Sequence, residues 1–291
     1  MTEGIVTVLK PPGMSSSDVV VDVRRLFETK RVGHLGTLDP EAAGVLPVCV
    51  GRAVRLFDYL VDKRKTYLAE IAFGAATDTQ DAQGRVIEQS DAEVTADMLD
   101  AILPRFCGTL SQTPPMYSAL KYNGKKLYDL ALAGETVPDK TREIEIVSLK
   151  RTETLGRNRF LIETTCSRGT YIRTLCHDIG EALGVPAHMA FLLRTASGMF
   201  TLGHAHSIAE LTALKEQGRL SDALTSCEDA IAFLPRLDLR ADRLKPALNG
   251  LSTTTNAKDG VYRLYCGRFL GIGVVNNGSA VLKVHLYSEG E

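Results

Sequence analysis

One carboxylate is singled out by its neighbours. Asp39 lies in the stretch GHLGTLDPEAAGVLPVCVG, residues 33–51, with Pro40 directly after it and Gly33, Gly36 and Gly44 around it. Glycine opens backbone conformations closed to other residues and lets a ligand or a second chain segment come close. Proline fixes its own φ and drives the preceding residue towards an extended conformation. Asp39 is therefore expected outside regular helix, rigidly presented, at the lip of the apolar run Val45 to Val50, which reads as a buried strand. A carboxylate held in that way can act as a nucleophile or a base. The same residues also make an ordinary Asp-Pro turn.

Other groups that could do chemistry form weaker patterns. Lys10 borders a helix start, where free backbone N–H groups favour anions. Lys121-Tyr122-Asn123-Gly124-Lys125-Lys126 reads as a hairpin turning at Asn-Gly, with three lysines on it. Lys63, Arg64 and Lys65 form a short basic run before Tyr67. The aspartates of TDTQDAQG, residues 77–84, are spaced too tightly for a calcium loop and lack its distal glutamate. His177, His188, His204, His206 and His285 show no ligand set completed by cysteine or carboxylate, so no metal is expected. The spacing Gly33-x-x-Gly36 lacks the lysine of a phosphate loop.

The elements that must position these groups follow from periodicity and caps. Residues 4–9 read as a strand. Ser15, Ser16 and Ser17 offer caps for a helix with Val19, Val20, Val23 and Leu26 on one face. Arg52 to Val61 reads as a short amphipathic helix, Tyr67 to Phe73 as a strand and Thr95 to Leu103 as a helix. Leu127 to Ala133 is expected helical, and Glu143 to Leu149 and Phe160 to Cys166 as strands. The turn Ser167 to Tyr171 leads into a helix burying Ile172, Leu175, Ile179 and Leu183, with Tyr171 and Arg173 in its first turn. Ala190 to Leu193 reads as a buried strand, with Arg194 next. Ile208 to Lys215 and Leu220 to Phe233 read as helices. From about Pro235 the chain turns to short strands, at residues 261–265, 269–275 and 280–286.

Set in order, these segments resemble the TruB family of pseudouridine synthases. The stretch around Asp39 is similar to that family's catalytic motif. KPPGMSSSDVV, KTYLAEIAFGAATDTQDAQG, PPMYSALKYNGKKLYDLA and CSRGTYIRTLCHDIGEALGVPAHMAFLLRTASGMF follow the family's order, over about residues 9–200. The resemblance implies an α/β (α+β) fold, with a mixed, largely antiparallel sheet flanked by helices. It implies a catalytic domain over residues 1–234 with an RNA-gripping insertion at about 113–142, and a small PUA-like β domain over 235–291. It implies isomerisation of the uridine at position 55 in the T loop of tRNA, with no cofactor. Asp39 would be the nucleophile, attacking C6 of the base or C1′ of the ribose, or else the base that assists glycal formation. Tyr67 would stack under the flipped uracil and serve in the late proton transfer from C5. Arg173 would pair with Asp39 and aim it. Tyr171 and Leu192 would line the uracil pocket, and His34 would contact the RNA near the vacated nucleotide. Lys10, Lys121, Lys125 and Lys126 would assist substrate binding. Leu132 stands where the family often has an arginine, which puts one RNA contact in doubt.

Composition limits the partners. The 291 residues carry a net charge of −1, yet residues 76–100 alone carry −6, which leaves +5 on the remainder and room for a basic face. No apolar run is long enough to span a membrane, and the first residues do not read as a secretory signal. The six cysteines form no Cys-x-x-Cys pair and read as reduced, mostly buried thiols of a cytoplasmic protein. The resemblance implies the T arm of tRNA as partner, and the lack of long basic tails favours action with no obligate protein partner. Two rivals are an RNA-binding or tRNA-folding protein whose chemistry is secondary or lost and a guide-dependent subunit of a ribonucleoprotein.

Overall fold

The computed structural model describes residues 3–61, 63–115, 121–122, 125–126 and 141–287. In chain order the strands are β1 (Gly4–Lys10), β2 (Val32–His34), β3 (Ala43–Val50), β4 (Lys65–Phe73), β5 (Ala75–Thr77), β6 (Val86–Gln89) and β7 (Gly108–Gln112). They continue with β8 (Lys121–Tyr122), β9 (Lys125–Lys126), β10 (Arg142–Gly156), β11 (Arg159–Cys166), β12 (Ala187–Ser197), β13 (Phe200–Thr201) and β14 (Leu224–Thr225). The helices among them are α1 (Ser16–Leu26), α2 (Phe57–Leu60), α3 (Ala96–Ile102), α4 (Ile172–Leu183), α5 (Ile208–Glu216) and α6 (Cys227–Ala230).

Ten strands form one sheet, in the order β14-β1-β3-β12-β4-β11-β10-β7, with β2 on β3 and β13 on β12. Every pairing in it is antiparallel except β3 with β12, where Leu193 faces Ala43 and Arg194 faces Gly44. The expected mixed, largely antiparallel sheet is therefore present. At its one parallel junction the chain is very close to its neighbour. A Cβ on Gly44, whose φ is +111°, would lie 2.2 Å from the Arg194 carbonyl oxygen, so only glycine fits there.

Strand β3 is buried along its whole length, because both faces are covered. Leu46, Val48 and Val50 join a core with Val19, Val20 and Val23 of α1, Leu175 and Ile179 of α4, and Leu211 of α5. Val45 and Cys49, on the other face, pack with Ile231, Ile272 and Leu286. Ile272 belongs to a five-stranded sheet whose strands run from Arg236 to His285, and Leu286 directly follows its last strand; this is the small β unit expected after the helical region. An ion pair from Arg52 to Glu3 at 2.6 Å, with Arg52 also donating to the Tyr287 carbonyl, ties the two units together.

Four elements differ from the expectation. Arg52 to Val61 is not one helix. Residues Gly51–Leu56 form a 3₁₀ segment, entered through Gly51 at φ +69°, and only Phe57–Leu60 is α-helical. Leu220 to Phe233 is broken as well. Leu224 and Thr225 pair with Val6 and Ile5 as strand β14, so the open edge of β1 overrides the local helical pattern. Strands β10 and β12 are longer than periodicity suggested, because both stay paired well past their apolar runs. The hairpin at Lys121 is present in its backbone pairing, Lys121 with Lys126 and Tyr122 with Lys125. Its turn at Asn123-Gly124, the helix expected over 127–133 and Leu132 lie outside the described residues.

Candidate active site

The loop that carries Asp39 is fastened through its backbone from three sides. From one side, the Ser16 hydroxyl at the start of α1 accepts from the Leu38 N–H at 2.9 Å and donates to the Leu38 carbonyl at 3.0 Å. From another, the Lys10 ammonium donates to the carbonyls of Pro40 and Pro11, both at 2.8 Å. From a third, the Arg194 guanidinium donates to the carbonyls of Val45 at 2.7 Å, Gly36 at 3.2 Å and Thr37 at 3.4 Å. Lys10 and Arg194 are both 0% exposed. Buried cations are rare unless their donors are satisfied, and here the backbone carbonyls around the Asp39 turn satisfy them.

This corrects the expectation for Lys10. It is not a surface lysine at a helix start awaiting a phosphate. Its amine is enclosed, and burial pushes its pKa down to about 8. The buried arginine, Arg194, had no role assigned from the sequence. The signal was there: an arginine inside the strand-like run AFLLRTAS must find acceptors or leave the sheet.

Asp39 opens into a cleft of about 360 Å³ that is also lined by His34, Tyr67, Tyr171, Arg173 and Leu192. The six residues are spread over more than 150 positions of sequence and meet in one place. Arg173, in the first turn of α4, brings its Nε to 3.1 Å from Asp39 Oδ2. The arginine side chain is 6% exposed and the aspartate 43%, so the pair is anchored on the arginine side and open on the carboxylate side. The far end of the guanidinium is held too. Its Nη1 donates to the Thr79 carbonyl at 3.2 Å and lies 3.4 Å from Asp81 Oδ2. Asp81 is fixed in turn by the Thr79 hydroxyl at 2.6 Å and the Gln83 N–H at 3.1 Å. The aspartate-rich turn, considered above only as a metal loop, thus backs the arginine.

Tyr67 is buried opposite Arg194 across the β4–β12 ladder. Burial pushes its phenol up, with the nearby Arg194 charge acting against that, so the hydroxyl keeps its proton at neutral pH. His34 Nδ1 accepts from the Gly36 N–H at 3.3 Å, which leaves the ring proton on Nε2. Burial, and then the Arg194 charge, push His34 down, so the ring is neutral at neutral pH. Leu192 is a nearly buried wall residue. The side chains of Lys121, Lys125 and Lys126 lie outside the described residues.

The chain matches the family profile described as "TruB family pseudouridylate synthase (N terminal domain)" over residues 24–172. It matches the "tRNA pseudouridylate synthase B C-terminal domain" over residues 173–232. The chain belongs to the TruB family. Among relatives of this TruB chain, the tRNA pseudouridine synthase B of Bacillus pumilus is 43% identical over 256 residues, 86% of this chain and 83% of that protein. The one from Ligilactobacillus salivarius is 41% identical over 267 residues, 88% of each. Among solved structures, a Cbf5-Nop10-Gar1 complex matches with a TM-score of 0.72 and 25% identity, over 94% of this chain and 78% of that one. An H/ACA ribonucleoprotein bound to a substrate RNA containing 2′-deoxyuridine matches with a TM-score of 0.74 and 23% identity, over 98% and 85%. The latter supports the fold alone.

One expectation about metals needs correction. His177 does stand with two carboxylates: Asp178 and Glu181 offer ligand atoms within 4.8 Å of it and of each other. The group lies along α4, and none of the three lines the cleft. Asp178, whose Oδ1 lies 3.6 Å from His177 Nδ1, pushes His177 up.

Proposed function

We propose that this TruB family chain isomerises the uridine at position 55 in the T loop of tRNA to pseudouridine, acting alone in the cytoplasm. The observation that carries this is the Asp39–Arg173 pair, opening on its carboxylate side into a cleft walled by Tyr67, Tyr171 and Leu192. The relatives named tRNA pseudouridine synthase B support the tRNA substrate.

The reaction breaks the bond from ribose C1′ to uracil N1, forms one from C1′ to C5, moves a proton off C5 and places one on N1. Nothing is oxidised or transferred from outside, so no cofactor is required. A base inside a stacked loop cannot reach a carboxylate set within a cleft, so the nucleotide must be extruded, which costs a few kcal/mol. Stacking on Tyr67 and contact with Tyr171 and Leu192 offset that cost. Asp39 then acts on the enclosed nucleotide, as a nucleophile at C6 or C1′ or as the base of a glycal route. All three need its free oxygen beside the sugar and base. The tethers from Ser16, Lys10 and Arg194 hold that oxygen in place before the substrate arrives, and preorganisation of this kind lowers the barrier. The protonated Tyr67 phenol serves the late proton transfer as a relay, its oxygen accepting the proton from C5 as it passes its own proton on, while N1 gains the one it needs. His34, at the rim, takes the space left in the RNA. Residues 113–142 grip the T arm through Lys121, Lys125 and Lys126, and residues 235–291 extend the RNA surface.

The test is incubation of the purified protein with unmodified transcript tRNA, followed by mapping of the product. Conversion of one T-loop uridine without added RNA or nucleotide is expected. Conversion only after a guide RNA or a protein partner is supplied would contradict standalone action.

A further inference from the structure

The two strands from which residues 113–141 spring are β7, ending at Gln112, and β10, beginning at Arg142. The two residues face each other across the ladder, and both reach the same residue, Tyr171. Tyr171 is the N-cap of α4, and its own side chain makes no capping hydrogen bond. The Gln112 carboxamide acts on its backbone instead. Gln112 Oε1 accepts the Tyr171 N–H at 2.8 Å, and Nε2 donates to the Tyr171 carbonyl at 3.0 Å. Gln112 is 3% exposed, so this two-point contact is made away from water.

Arg142 acts on the ring. Its guanidinium carbon lies 4.9 Å from the centre of the Tyr171 ring, within the range of a cation–π contact. The buried Nε and Nη2 have no hydrogen-bond partner among the described residues, so none of the described carboxylates pulls the group away from the ring. Room for it comes from Gly169, at φ +86°, where a Cβ would lie 3.2 Å from Arg142 Nη1.

We propose that Gln112 and Arg142 are a positioning pair for Tyr171, one fixing its backbone and the other its ring. Together they set the first turn of α4, which carries Arg173 two residues on, and one wall of the cleft. The proposal rests on the reading of that cleft as the uridine pocket. It concerns alignment within the cleft and not the grip on tRNA, which is spread over many phosphate contacts.

The test uses the full chain and transcript tRNA, with single-turnover conversion at saturating enzyme, tRNA binding and thermal melting. The variants are Gln112→Glu, which sets an oxygen against the Tyr171 carbonyl, Gln112→Met, Arg142→Met, Arg142→Lys and Tyr171→Leu. Gln112→Glu and Arg142→Met are expected to lower the saturating rate on the order of tenfold to a hundredfold, with Kd within about threefold of the parent. Arg142→Lys keeps a cation over the ring and should recover part of the rate. In a Tyr171→Leu background Arg142→Met should add no further loss, whereas Gln112→Glu should, because it acts on the backbone. Parental saturating rates in folded Gln112→Glu and Arg142→Met, with only melting lowered, would overturn the pair. So would an Arg142→Met loss that persists undiminished beside Tyr171→Leu. If Tyr171→Leu itself keeps the parental rate, the pocket reading fails, a result separate from failure of the pair. Should Gln112→Glu not fold, Gln112→Met and the Arg142 cycle decide.

Discussion

Arg173 stands between two carboxylates, and the division of labour between its ends decides what a substitution does. Nε faces Asp39, while Nη1 faces Asp81 and the Thr79 carbonyl. Lysine keeps the charge but has one donor head and cannot serve both ends. Arg173→Lys is therefore expected to lower single-turnover conversion on the order of a hundredfold while tRNA binding is retained. Parental rates would reduce Arg173 to a structural residue. Lys10 gives a second residue-scale test. Its folded pKa is about 8 against 10.5 for an ordinary lysine. Between those values the unfolded chain holds a proton that the folded chain has released, so stability rises with pH. Melting of the parent relative to Lys10→Met should therefore climb from about pH 8 to about pH 10.5 and be flat on either side. A flat difference throughout would mean a solvated lysine. The sequence made Asp39 legible, because glycine and proline act locally. It did not disclose the enclosure of Lys10, because burial depends on residues 30 positions away and more.

The Asp39 loop as an element is held by groups from α1, β1 and β12, three parts of the chain distant in sequence. Arg194 carries the largest share, with three carbonyl acceptors. Arg194→Met would leave those carbonyls short of donors in a buried site. A loss of about 3 kcal/mol or more is expected, seen as a fall of about 6–12 °C in Tm. A change under about 2 °C in Tm would show that the loop holds itself. Strong capping and alternation made α1, β3 and β4 legible: Ser15 caps α1 with a full capping box, and β3 and β4 keep their apolar runs. Leu220 to Phe233 was not legible, because the edge of β1 recruits two of its residues as a strand. The asymmetric role of Tyr171 was equally hidden, since its cap comes from Gln112, 59 positions away.

For the whole molecule, a net charge of −1 has to be reconciled with an RNA substrate. The charge is uneven, with −6 concentrated in residues 76–100. Binding is then expected to be electrostatic and local. Replacing Lys121, Lys125 and Lys126 together with alanine should weaken tRNA binding more than it slows the bound complex. Each lost phosphate contact should reduce the slope of log K against log salt by roughly 0.7 to 0.9. An unchanged slope would remove the hairpin from the RNA surface. The central claim is that Asp39 carries the chemistry of a molecule otherwise built to present it. The most direct measurement is single-turnover conversion of transcript tRNA by Asp39→Asn, beside tRNA binding and melting of the same protein. Asparagine keeps the shape and removes the reactive oxygen, so conversion should fall to background while binding and Tm stay near the parent. Substantial conversion by folded, tRNA-binding Asp39→Asn would contradict the assignment.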